Sequence, residues 1–386
     1  MTAPPPENRD SAARRTVLIA GGGTGGHLMP ALAIASALRS RHPDWRIVMV
    51  GAERGVEAQL LPTRDFPFHL LPFEPIYRRQ WWRNARWPWL ALTLLRRCGR
   101  LLTDERPDLV LGTGGYASGP IVWAAARRGI PTAILEQDAF PGLVTRWLAP
   151  RVREVFLGAP EAARHLRGGP RTTVTVTGSP ITPPTPERAA AARARFGIEG
   201  GPVVLVMGGS QGSVAINERI AGWIDGGGAD RLTVIWATGR ASAERFRRYH
   251  RPPRVTVVDF LDPAADGYAV ADLVVARAGM MTIAEICAWG LPSILIPLPT
   301  AAADHQTRNA EAMAAAGAAV MLRQAEVSPE SLGAEIARLL ADPAALAALR
   351  RGATGRGRPR AVDEIVDRLD RLSGTTGGTP VRLSQA

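Results

Sequence analysis

The stretch Arg277–Met313, RAGMMTIAEICAWGLPSILIPLPTAAADHQTRNAEAM, decides the fold of this chain. It follows a β-rich run, Asp272–Ala276, and opens with a turn of small residues. A helix is predicted over residues 282–289, because Gly290 and a proline just beyond it end the pattern. An apolar strand over 293–297, a polar loop and a second helix follow. This order predicts an open α/β sheet with a crevice at the carboxyl ends of its strands.

Three polar side chains of this stretch suit a sugar nucleotide. Glu285 lies on the first turns of the first helix, where a carboxylate can accept hydrogen bonds from two ribose hydroxyls. Gln306 and Asn309 are three residues apart on the second helix and therefore share a face. Their amides both donate and accept, which suits sugar hydroxyls. For each residue alone, a solvated helix end is the alternative interpretation.

The whole pattern resembles the sugar-nucleotide site of the MurG family, the bacterial N-acetylglucosaminyltransferases of glycosyltransferase family 28 that form lipid II. That family has R-S-G-x-x-T-x-x-E, then G-x-P-x-x-x-x-P, then D-H-Q-x-x-N-A. The residues of this chain that match are Arg277, Gly279, Thr282, Glu285, Gly290, Pro292, Pro297, Asp304, His305, Gln306, Asn309 and Ala310.

Length and composition favour two domains and no membrane span. A chain of 386 residues is natural for two domains. Its net charge of +12 rests on arginine alone, which favours phosphates and lipid headgroups, although genome composition explains an all-arginine chain equally well. Cys98 and Cys287 are the only cysteines and lack metal spacing, so neither a disulfide framework nor a zinc site is expected. No apolar run approaches the roughly 18 residues of a membrane span, and we expect a cytoplasmic protein.

The first of three glycine loops follows the short apolar strand Thr16–Ala20 and satisfies G-x-G-x-x-G between a strand and a helix. A dinucleotide oxidoreductase is the rival interpretation, with Glu53 as its ribose-binding acid. His27, directly after the last glycine, favours a transferase. The helix dipole there keeps the imidazole neutral, so a general base is physically reasonable. Orientation of the acceptor or its pyrophosphate is the competing role.

Two further glycine loops also connect a strand to a helix. Residues 112–120 connect the strand 107–111 to a helix, and residues 208–212 connect the strand 202–207 to another. One nucleotide does not need two such loops in one half, and a diphosphate acceptor explains the second loop better than a dinucleotide does. Ser210 in the third loop is a candidate to bond a donor phosphate.

The segment Phe73–Arg106 stands out by composition. It carries eight arginines, three acids and four tryptophans, Trp81, Trp82, Trp87 and Trp89. Tryptophan with arginine is typical of a segment lying in a membrane interface, and packing against the domain core is the alternative. We expect peripheral docking on the cytoplasmic face of the cell membrane through these tryptophans and nearby arginines.

The resemblance implies an α/β protein with the GT-B arrangement, two Rossmann-like domains whose parallel sheets face a central cleft. The expected divisions are a disordered leader 1–13, an acceptor- and membrane-binding domain 14–177, a hinge 178–186, a UDP-GlcNAc-binding domain 187–355, a terminal helix 356–373 that can pack on the first domain, and a disordered tail 374–386. With no D-x-D motif, we expect no metal and no cofactor. Glycine-loop amides and helix N-termini are then expected to stabilise the negative charge of the pyrophosphate.

The resemblance also implies the reaction and its residues. N-acetylglucosamine moves from UDP-GlcNAc to the muramyl 4-hydroxyl of lipid I, with inversion, giving lipid II for peptidoglycan. Glu285 holds ribose, Leu261 reads uracil, and Ser210 with the Met280 and Met281 amides meets the phosphates. Gln306, Asn309 and Asp138 read the sugar. The other donor-side positions are Thr24, Gly25, Gly26, Thr182 and Thr282, and the acceptor-side positions are His27, Gly114, Gly115 and Tyr116.

Three of the positions that depart from the family pattern bear on the site. Leu135 and Asp138 stand where H-E-Q-N has His and Asn, and Thr182 stands where G-N-P-x-R has Arg. Asp138 still accepts from sugar hydroxyls, and its charge can perturb His27 or make Asp138 itself the base. The general base is therefore His27 or Asp138. A related enzyme acting on another lipid and a membrane module that senses UDP-sugars without turnover remain alternatives.

Overall fold

The computed structural model describes residues 15–23, 25–73, 87–209 and 211–374. The first half builds a seven-stranded sheet in the order β3-β2-β1-β4-β5-β6-β7, in which all neighbouring strands are parallel. Its strands are β1 Thr16–Ala20, β2 Arg46–Ala52, β3 Phe68–Leu71, β4 Leu109–Gly112, β5 Thr132–Glu136, β6 Glu154–Leu157 and β7 Thr173–Val176.

The second half repeats this plan with a six-stranded parallel sheet in the order β10-β9-β8-β11-β12-β13. Its strands are β8 Val203–Met207, β9 Thr233–Ala237, β10 Val255–Val258, β11 Leu273–Ala276, β12 Ser293–Leu295 and β13 Val320–Met321. Every residue of β1, β4, β5 and β11 is buried. Such runs are mostly apolar because helices cover both faces of a parallel sheet.

Helices connect the strands. In the first half they are α1 Gly25–Arg41, α2 Glu57–Leu60, α3 Trp87–Glu105, α4 Gly119–Arg127 and α5 Leu143–Leu148. In the second half they are α6 Ala189–Phe196, α7 Val214–Asp225, α8 Ala243–Phe246, α9 Ala264–Val270, α10 Met280–Trp289, α11 His305–Ala315, α12 Pro329–Ala341, α13 Pro343–Arg356 and α14 Ala361–Leu372. Short 3-10 turns include Pro160–His165 and Ala302–Asp304.

The last helix, α14, returns to the first half. Ile365, Val366 and Leu369 are fully buried in the same apolar cluster as the inner face of α1. Arg41 at the end of α1 pairs with Asp367 and Asp370. The second half is thus fastened to the first by its own C-terminal helix.

The chain crosses between the halves twice, and the two crossings touch. Gly178, with a φ of 82°, lies in the first crossing, and a Cβ built there would overlap the Arg358 Cβ in the second. Beside them, Arg356 at the end of α13 forms a bidentate ion pair with Glu161, at 2.8 Å for both oxygens. Glu161 belongs to the first half, and so this pair joins the two halves directly.

The α/β fold class with two Rossmann-like sheets is confirmed. Some details differ from the sequence prediction. Helix α10 begins at Met280, two residues before the predicted start, and β12 ends at Leu295 rather than Pro297. Strands β3, β6 and β13 had no sequence prediction. The predicted disordered leader and nearly all of the predicted tail lie outside the described residues, and the domain boundaries remain predictions. No helix in the described ranges is both long and apolar enough to cross a membrane.

Candidate active site

The carboxyl ends of both sheets carry the candidate site. Glycine loops follow β1, β4 and β8 and lead towards α1, α4 and α7. The strand order reverses between β1 and β4 in one sheet and between β8 and β11 in the other, and ligands of open α/β sheets bind at such points. The helix N-termini there present unpaired N–H groups, which favour phosphates.

A buried carboxylate supports the first glycine loop. Glu57, at the start of α2, is fully buried, and its Oε1 accepts a hydrogen bond from the Gly23 amide. Its Oε2 is buried without a partner among the described residues. A Cβ at Gly22 or Gly55 would overlap this carboxylate, and one at Gly51 would lie 2.6 Å from Glu57 Cβ. Burial raises the pKa of Glu57.

The second glycine loop packs on the first. Gly114 and Gly115 have φ values of 101° and 75°, which residues with side chains rarely adopt. A Cβ at Gly115 would overlap the carbonyl oxygen of Gly22. Next to them, Thr113 Oγ1 donates a hydrogen bond to the carbonyl of His27 at 2.9 Å. The two loops therefore fix the start of α1, from which His27 projects.

His27 lies between these loops with its side chain partly exposed. Its Nδ1 is buried and has no hydrogen-bond partner within the described chain. Burial lowers the pKa of His27, and this effect outweighs the opposing influence of the Asp138 charge and of the Gln137 side chain. The imidazole is therefore neutral near pH 7 and able to accept a proton.

The loop after β5 is organised by Glu136. Its buried carboxylate accepts hydrogen bonds from the amides of Asp138 and Gly142, at 3.2 and 2.9 Å. Burial and, second, the charge of Asp138 raise the pKa of Glu136 to about 7. Gln137 Nε2 donates to the Thr113 carbonyl at 2.8 Å. This loop is thereby joined to the second glycine loop beside His27.

The second half contains a cavity of about 660 Å³, within the usual range of small-molecule sites. Helix α10 begins after Gly279, which has no side chain to cap the first amides. The starts of α7 and α10 both border the cavity, an arrangement that attracts anions. The lining residues are Gly208, Gly209, Gln211, Gly212, Ser213, Val214, Ala215, Arg277, Gly279, Thr282, Leu298, Pro299, Thr300, Gln306 and Gln324.

Arg277 brings a buried positive charge to this cavity. Its guanidinium donates to the carbonyls of Ile296 and Pro297, to Ser213 Oγ and to Gln324 Oε1, at 2.6 to 3.0 Å. All four acceptors are neutral, and no carboxylate of the described chain pairs with it. Burial, reinforced by Arg219, lowers the pKa of Arg277 to about 10, so the group stays charged at neutral pH. An anion in the cavity would meet an uncompensated cation.

Glu285 lies on α10 outside the lining of this cavity. Its Oε2 accepts a hydrogen bond from the Tyr268 hydroxyl at 2.7 Å. Burial raises the pKa of Glu285, and the Tyr268 hydroxyl opposes the shift. Oε1 makes no hydrogen bond within the described ranges. One carboxylate oxygen is thus engaged by protein, and one is left for a ligand hydroxyl.

The two halves meet at Asn309 and Asp138. Asn309 Nδ2 donates to Asp138 Oδ1 at 2.9 Å, and the Ala139 amide donates to Asn309 Oδ1 at 2.9 Å. Asn309 is almost fully buried, and its Nδ2 also reaches the Ala278 carbonyl at 3.3 Å. The two residues expected to read the donor sugar are therefore bonded to each other across the cleft. Gln306, by contrast, lines the cavity, with its Oε1 accepting from the Leu298 amide at 3.0 Å.

The remaining predicted site residues lie outside the lining of the cavity or outside the described residues, with Thr282 as the exception. Met280 and Met281 open α10, and Leu261 is buried after β10. Gly25 and Gly26 open α1, and Tyr116 packs against Gly23, where a Cβ would lie 2.6 Å from Tyr116 Cε1. Thr182 is exposed in the hinge and does not line the cavity. Thr24, Ser210, Trp81 and Trp82 lie outside the described residues, as does the side chain of Trp87.

Glu53, the acid that the dinucleotide interpretation assigns to a ribose, forms a surface ion pair instead. Glu53 follows β2 but is exposed, and its carboxylate pairs with Arg97 at 3.1 Å. Within the described ranges, no group of three or more His, Cys, Asp or Glu side chains is arranged to hold a metal ion.

Sequence reasoning missed three site residues. The sequence assigns no role to Glu57. The glycines at 22, 51 and 55, which leave room for its side chain, are the signal that could have indicated it. Arg277 was matched as a motif residue without a chemical role. Gln137 was quoted only as a letter of H-E-Q-N. Each acts through burial and three-dimensional neighbours, which a linear pattern does not contain.

Comparison with known sequences matches both halves of the chain to the two domains of one family. The N-terminal domain of glycosyltransferase family 28 matches residues 17–157, and the C-terminal domain of the same family matches residues 203–365. A relative from Desulforudis audaxviator is 38% identical over 379 residues, covering 93% of this chain and 98% of the relative. One from Myxococcus xanthus is 38% identical and covers 91% of each chain. Both are named UDP-N-acetylglucosamine–N-acetylmuramyl-(pentapeptide) pyrophosphoryl-undecaprenol N-acetylglucosamine transferase.

Solved structures agree on the fold. The crystal structure of Acinetobacter baumannii MurG aligns with a TM-score of 0.73 and 27% identity, covering 92% of this chain and 99% of that one. The calicheamicin glycosyltransferase CalG4 aligns with a TM-score of 0.65 at 20% identity, over 94% of this chain and 100% of that one. The second likeness supports the GT-B arrangement alone.

Proposed function

The chain belongs to glycosyltransferase family 28, and from this membership we propose that it transfers N-acetylglucosamine from UDP-GlcNAc to the muramyl 4-hydroxyl of lipid I, giving lipid II for peptidoglycan synthesis. The observation that carries the proposal is the identity of 38% with transferases of that name over at least nine-tenths of both chains. The electropositive cavity at the switch point of the second sheet supplies the matching chemistry.

The donor occupies the second half. Its diphosphate lies against the starts of α7 and α10, where the amides of Met280, Met281 and Thr282 are in reach. Ser210 is assigned to the same phosphates from its position in the third glycine loop of the sequence. Arg277 supports this placement because its buried charge lacks a carboxylate partner in the described chain. The free oxygen of Glu285 accepts from the ribose, backbone groups beside Leu261 read uracil, and Gln306 reads the sugar.

The acceptor occupies the first half, above the loops that contain Gly114, Gly115 and Tyr116. The start of α1, with Gly25 and Gly26, contacts both substrates in this proposal, and the family resemblance assigns Thr24 to the donor. Asp138 and Asn309 contact the donor sugar only after it has displaced their mutual hydrogen bond. Thr182 is the least supported donor residue, since it is exposed in the hinge.

The reaction is a single inverting displacement. His27 takes the proton of the muramyl 4-hydroxyl as that oxygen attacks the anomeric carbon. The bond from that carbon to the UDP oxygen breaks, and its electron pair leaves with UDP. Helix N-termini and Arg277 stabilise the charge on the departing diphosphate without a metal. His27 is favoured over Asp138 because its pKa is lowered, whereas Asp138 already accepts from Asn309.

A lipid acceptor requires contact with the cytoplasmic face of the membrane, and the surface of the first half offers it. Trp89 and Leu143 are 74% and 70% exposed, at the start of α3 and of α5. Trp147 on α5 is also exposed, and the Arg151 guanidinium lies 4.6 Å from its ring centroid. We call Trp89, Leu143, Trp147 and Arg151 the aromatic–basic surface. Indole and guanidinium groups together suit anionic lipid headgroups, and Trp81, Trp82 and Trp87 extend the same composition.

The deciding experiment measures UDP release from UDP-GlcNAc with a lipid I analogue in EDTA. Wild-type protein is compared with His27→Ala and Asp138→Asn. We expect turnover that depends on the acceptor, and a loss of roughly 10²- to 10⁴-fold in His27→Ala, as for removal of a general base. Asp138→Asn keeps most of the activity, because Asn restores the side chain typical of the family.

Three outcomes would contradict parts of this proposal. Absence of turnover with the lipid acceptor, or tight binding of NAD, would refute the transferase assignment. Turnover with a different lipid only would change the acceptor. Loss of activity in Asp138→Asn with retention in His27→Ala would move the base to Asp138.

A further inference from the structure

Two buried polar atoms without partners face each other beside the candidate base. Within the described chain, neither His27 Nδ1 nor Gln137 Oε1 has a hydrogen-bond partner. Both lie against the same backbone position, since a Cβ at Gly114 would be 2.6 Å from Nδ1 and 3.3 Å from Oε1. Glycine at that position leaves the space between the two side chains open. Buried polar atoms of native proteins are normally satisfied, so this pair requires an explanation.

The orientation of the Gln137 amide is fixed by its other end. Nε2 donates to the Thr113 carbonyl at 2.8 Å, so the atom turned towards His27 is the oxygen, which can only accept. The Thr113 carbonyl also influences His27, and it too can only accept. Gln137 Oε1, beside Nδ1, is therefore an acceptor, and so is the Thr113 carbonyl that acts on the ring. A neutral imidazole carries one proton, and acceptors on this side favour its residence on Nδ1.

We propose that Gln137 is a positioning residue that accepts a hydrogen bond from Nδ1–H of His27 and thereby leaves the lone pair on Nε2, towards the cleft, to take the acceptor's proton. The inference rests on the proposed function, in which His27 is the base. The ring is partly exposed while Nδ1 is buried, so Nε2 lies on the edge that a substrate can reach. Gln137 itself touches no reacting atom.

The neutral amide suits a base that must remain unprotonated. Three groups besides Gln137 act on the pKa of His27: Asp138 raises it by its charge, the Thr113 carbonyl raises it, and His305 from the second half lowers it. A carboxylate at position 137 would add a second negative charge and favour the imidazolium. Glutamine orients the ring in the same way without adding that charge.

Two variants at position 137 test the role. Gln137→Leu and Gln137→Glu both lose the donor to Thr113, so the difference between them isolates the interaction with His27. We expect Gln137→Leu to lower kcat by roughly tenfold with little change in the KM for UDP-GlcNAc, since one orienting hydrogen bond is lost. We expect Gln137→Glu to move the acidic limb of the kcat/KM profile to higher pH, because a neighbouring carboxylate raises the pKa of His27. Gln59→Glu, exposed on α2, is the charge-matched control and leaves the profile in place.

A double-mutant cycle separates positioning from folding. If Gln137 acts through His27, Gln137→Leu does not lower kcat further in a His27→Ala background. A structural defect instead lowers kcat by the same factor in the wild-type and His27→Ala backgrounds. NMR of histidine-labelled full-length protein supplies a readout without turnover. We expect the Nδ1–H tautomer at His27 in wild type, and a changed His27 resonance and pKa in Gln137→Leu.

Each failure has a distinct signature. An Nε2–H tautomer in wild type, or equal His27 pKa values in the Leu and Glu variants, overturns the positioning role even if the enzyme turns over. An equal loss of rate from Gln137→Leu in both backgrounds overturns it as well. Lack of any turnover refutes the proposed function instead. The NMR measurement alone then shows whether His27 Nδ1–H donates a hydrogen bond to Gln137.

Discussion

In each half of the molecule, a buried ionisable side chain without a counter-ion among the described residues lies beside a glycine loop. In the first half this is Glu57 under the Gly23 amide, and in the second it is Arg277 beside the cavity. Isolated buried charges are costly, and features that break the usual rules of stability are expected at functional sites. Glu57 orders the first glycine loop, and Arg277 lines the cavity to which we assign the donor diphosphate.

A third buried ionisable group, Glu136, leads to a prediction about pH. Burial raises its folded pKa to about 7 from the usual 4.5, so between these pH values the folded state holds a proton that the unfolded state has lost. Its contribution to stability is fully present below about pH 4.5 and declines as the pH rises to about 7. Glu136→Gln does not titrate. We expect the free energy of unfolding of the variant, relative to wild type, to rise by about 1–3 kcal/mol between pH 5 and pH 8.

Urea unfolding at both pH values measures this difference. Glu335→Gln, which removes a partly exposed acid of α12 paired with Arg338, is the control. A constant difference between variant and wild type across this range would show that Glu136 has an ordinary pKa. Sequence reasoning did not anticipate this group. It identified His27 and Asp138 from motif spacing, but the burial that tunes Glu136 depends on the packing of the loop after β5.

At the scale of elements, the sequence predicted most strands and helices of the nucleotide-binding edges. Uniform apolar runs followed by glycine gave β1, β4, β8 and β11. It did not predict β3, β6 or β13, which are short and lie towards the edges of the sheets. Phe68 in β3 is exposed and β13 has only two residues, so these two strands lack a continuous apolar signal. The segment 73–106 drew attention by composition, whereas the exposed face of α5 was not recognised.

Helix α5 gives the membrane prediction. Leu143 and Trp147 project from it into solvent, and Trp147 lies beside Trp123 of α4 with ring centroids 6.2 Å apart. We expect the double variant Leu143→Ser, Trp147→Ser to bind vesicles containing phosphatidylglycerol at least tenfold more weakly, since each buried apolar side chain contributes about 1–2 kcal/mol. Sedimentation with vesicles measures the binding.

Val174→Ser on β7 is the matched control, because it also removes an exposed apolar side chain from the first half. Affinity for UDP stays at the wild-type value in both proteins if only membrane contact is affected. Equal vesicle binding by the double variant and wild type would exclude α5 from the membrane surface and leave the segment around Trp89 as the contact.

At the scale of the whole molecule, the ion pair between Glu161 and Arg356 holds the halves together. Its side chains are 19% and 16% exposed, so solvent weakens it only in part. We expect Glu161→Arg and Arg356→Glu each to loosen the halves, seen as a larger radius of gyration in small-angle scattering. The charge-swapped double variant restores the pair, with a coupling free energy of about 1–2 kcal/mol in urea unfolding.

Arg338 and Glu335, a pair within α12, provide the control swap, which leaves the radius of gyration unchanged. If the double swap behaves as the sum of its single variants, the ion pair has no role in the arrangement of the halves. The sequence predicted a hinge over residues 178–186 from its prolines, yet it gave no sign of this contact, because Glu161 and Arg356 are far apart in the chain.

The two touching crossings at Gly178 and Arg358 have a mechanical consequence. Two bodies joined by a single flexible segment can twist, slide and bend relative to each other in many directions. Joined at two adjacent points, they retain chiefly one rotational degree of freedom, about the line through those points. We therefore expect any opening or closing of the halves to follow a single arc about that line, so that each closure ends in the same geometry.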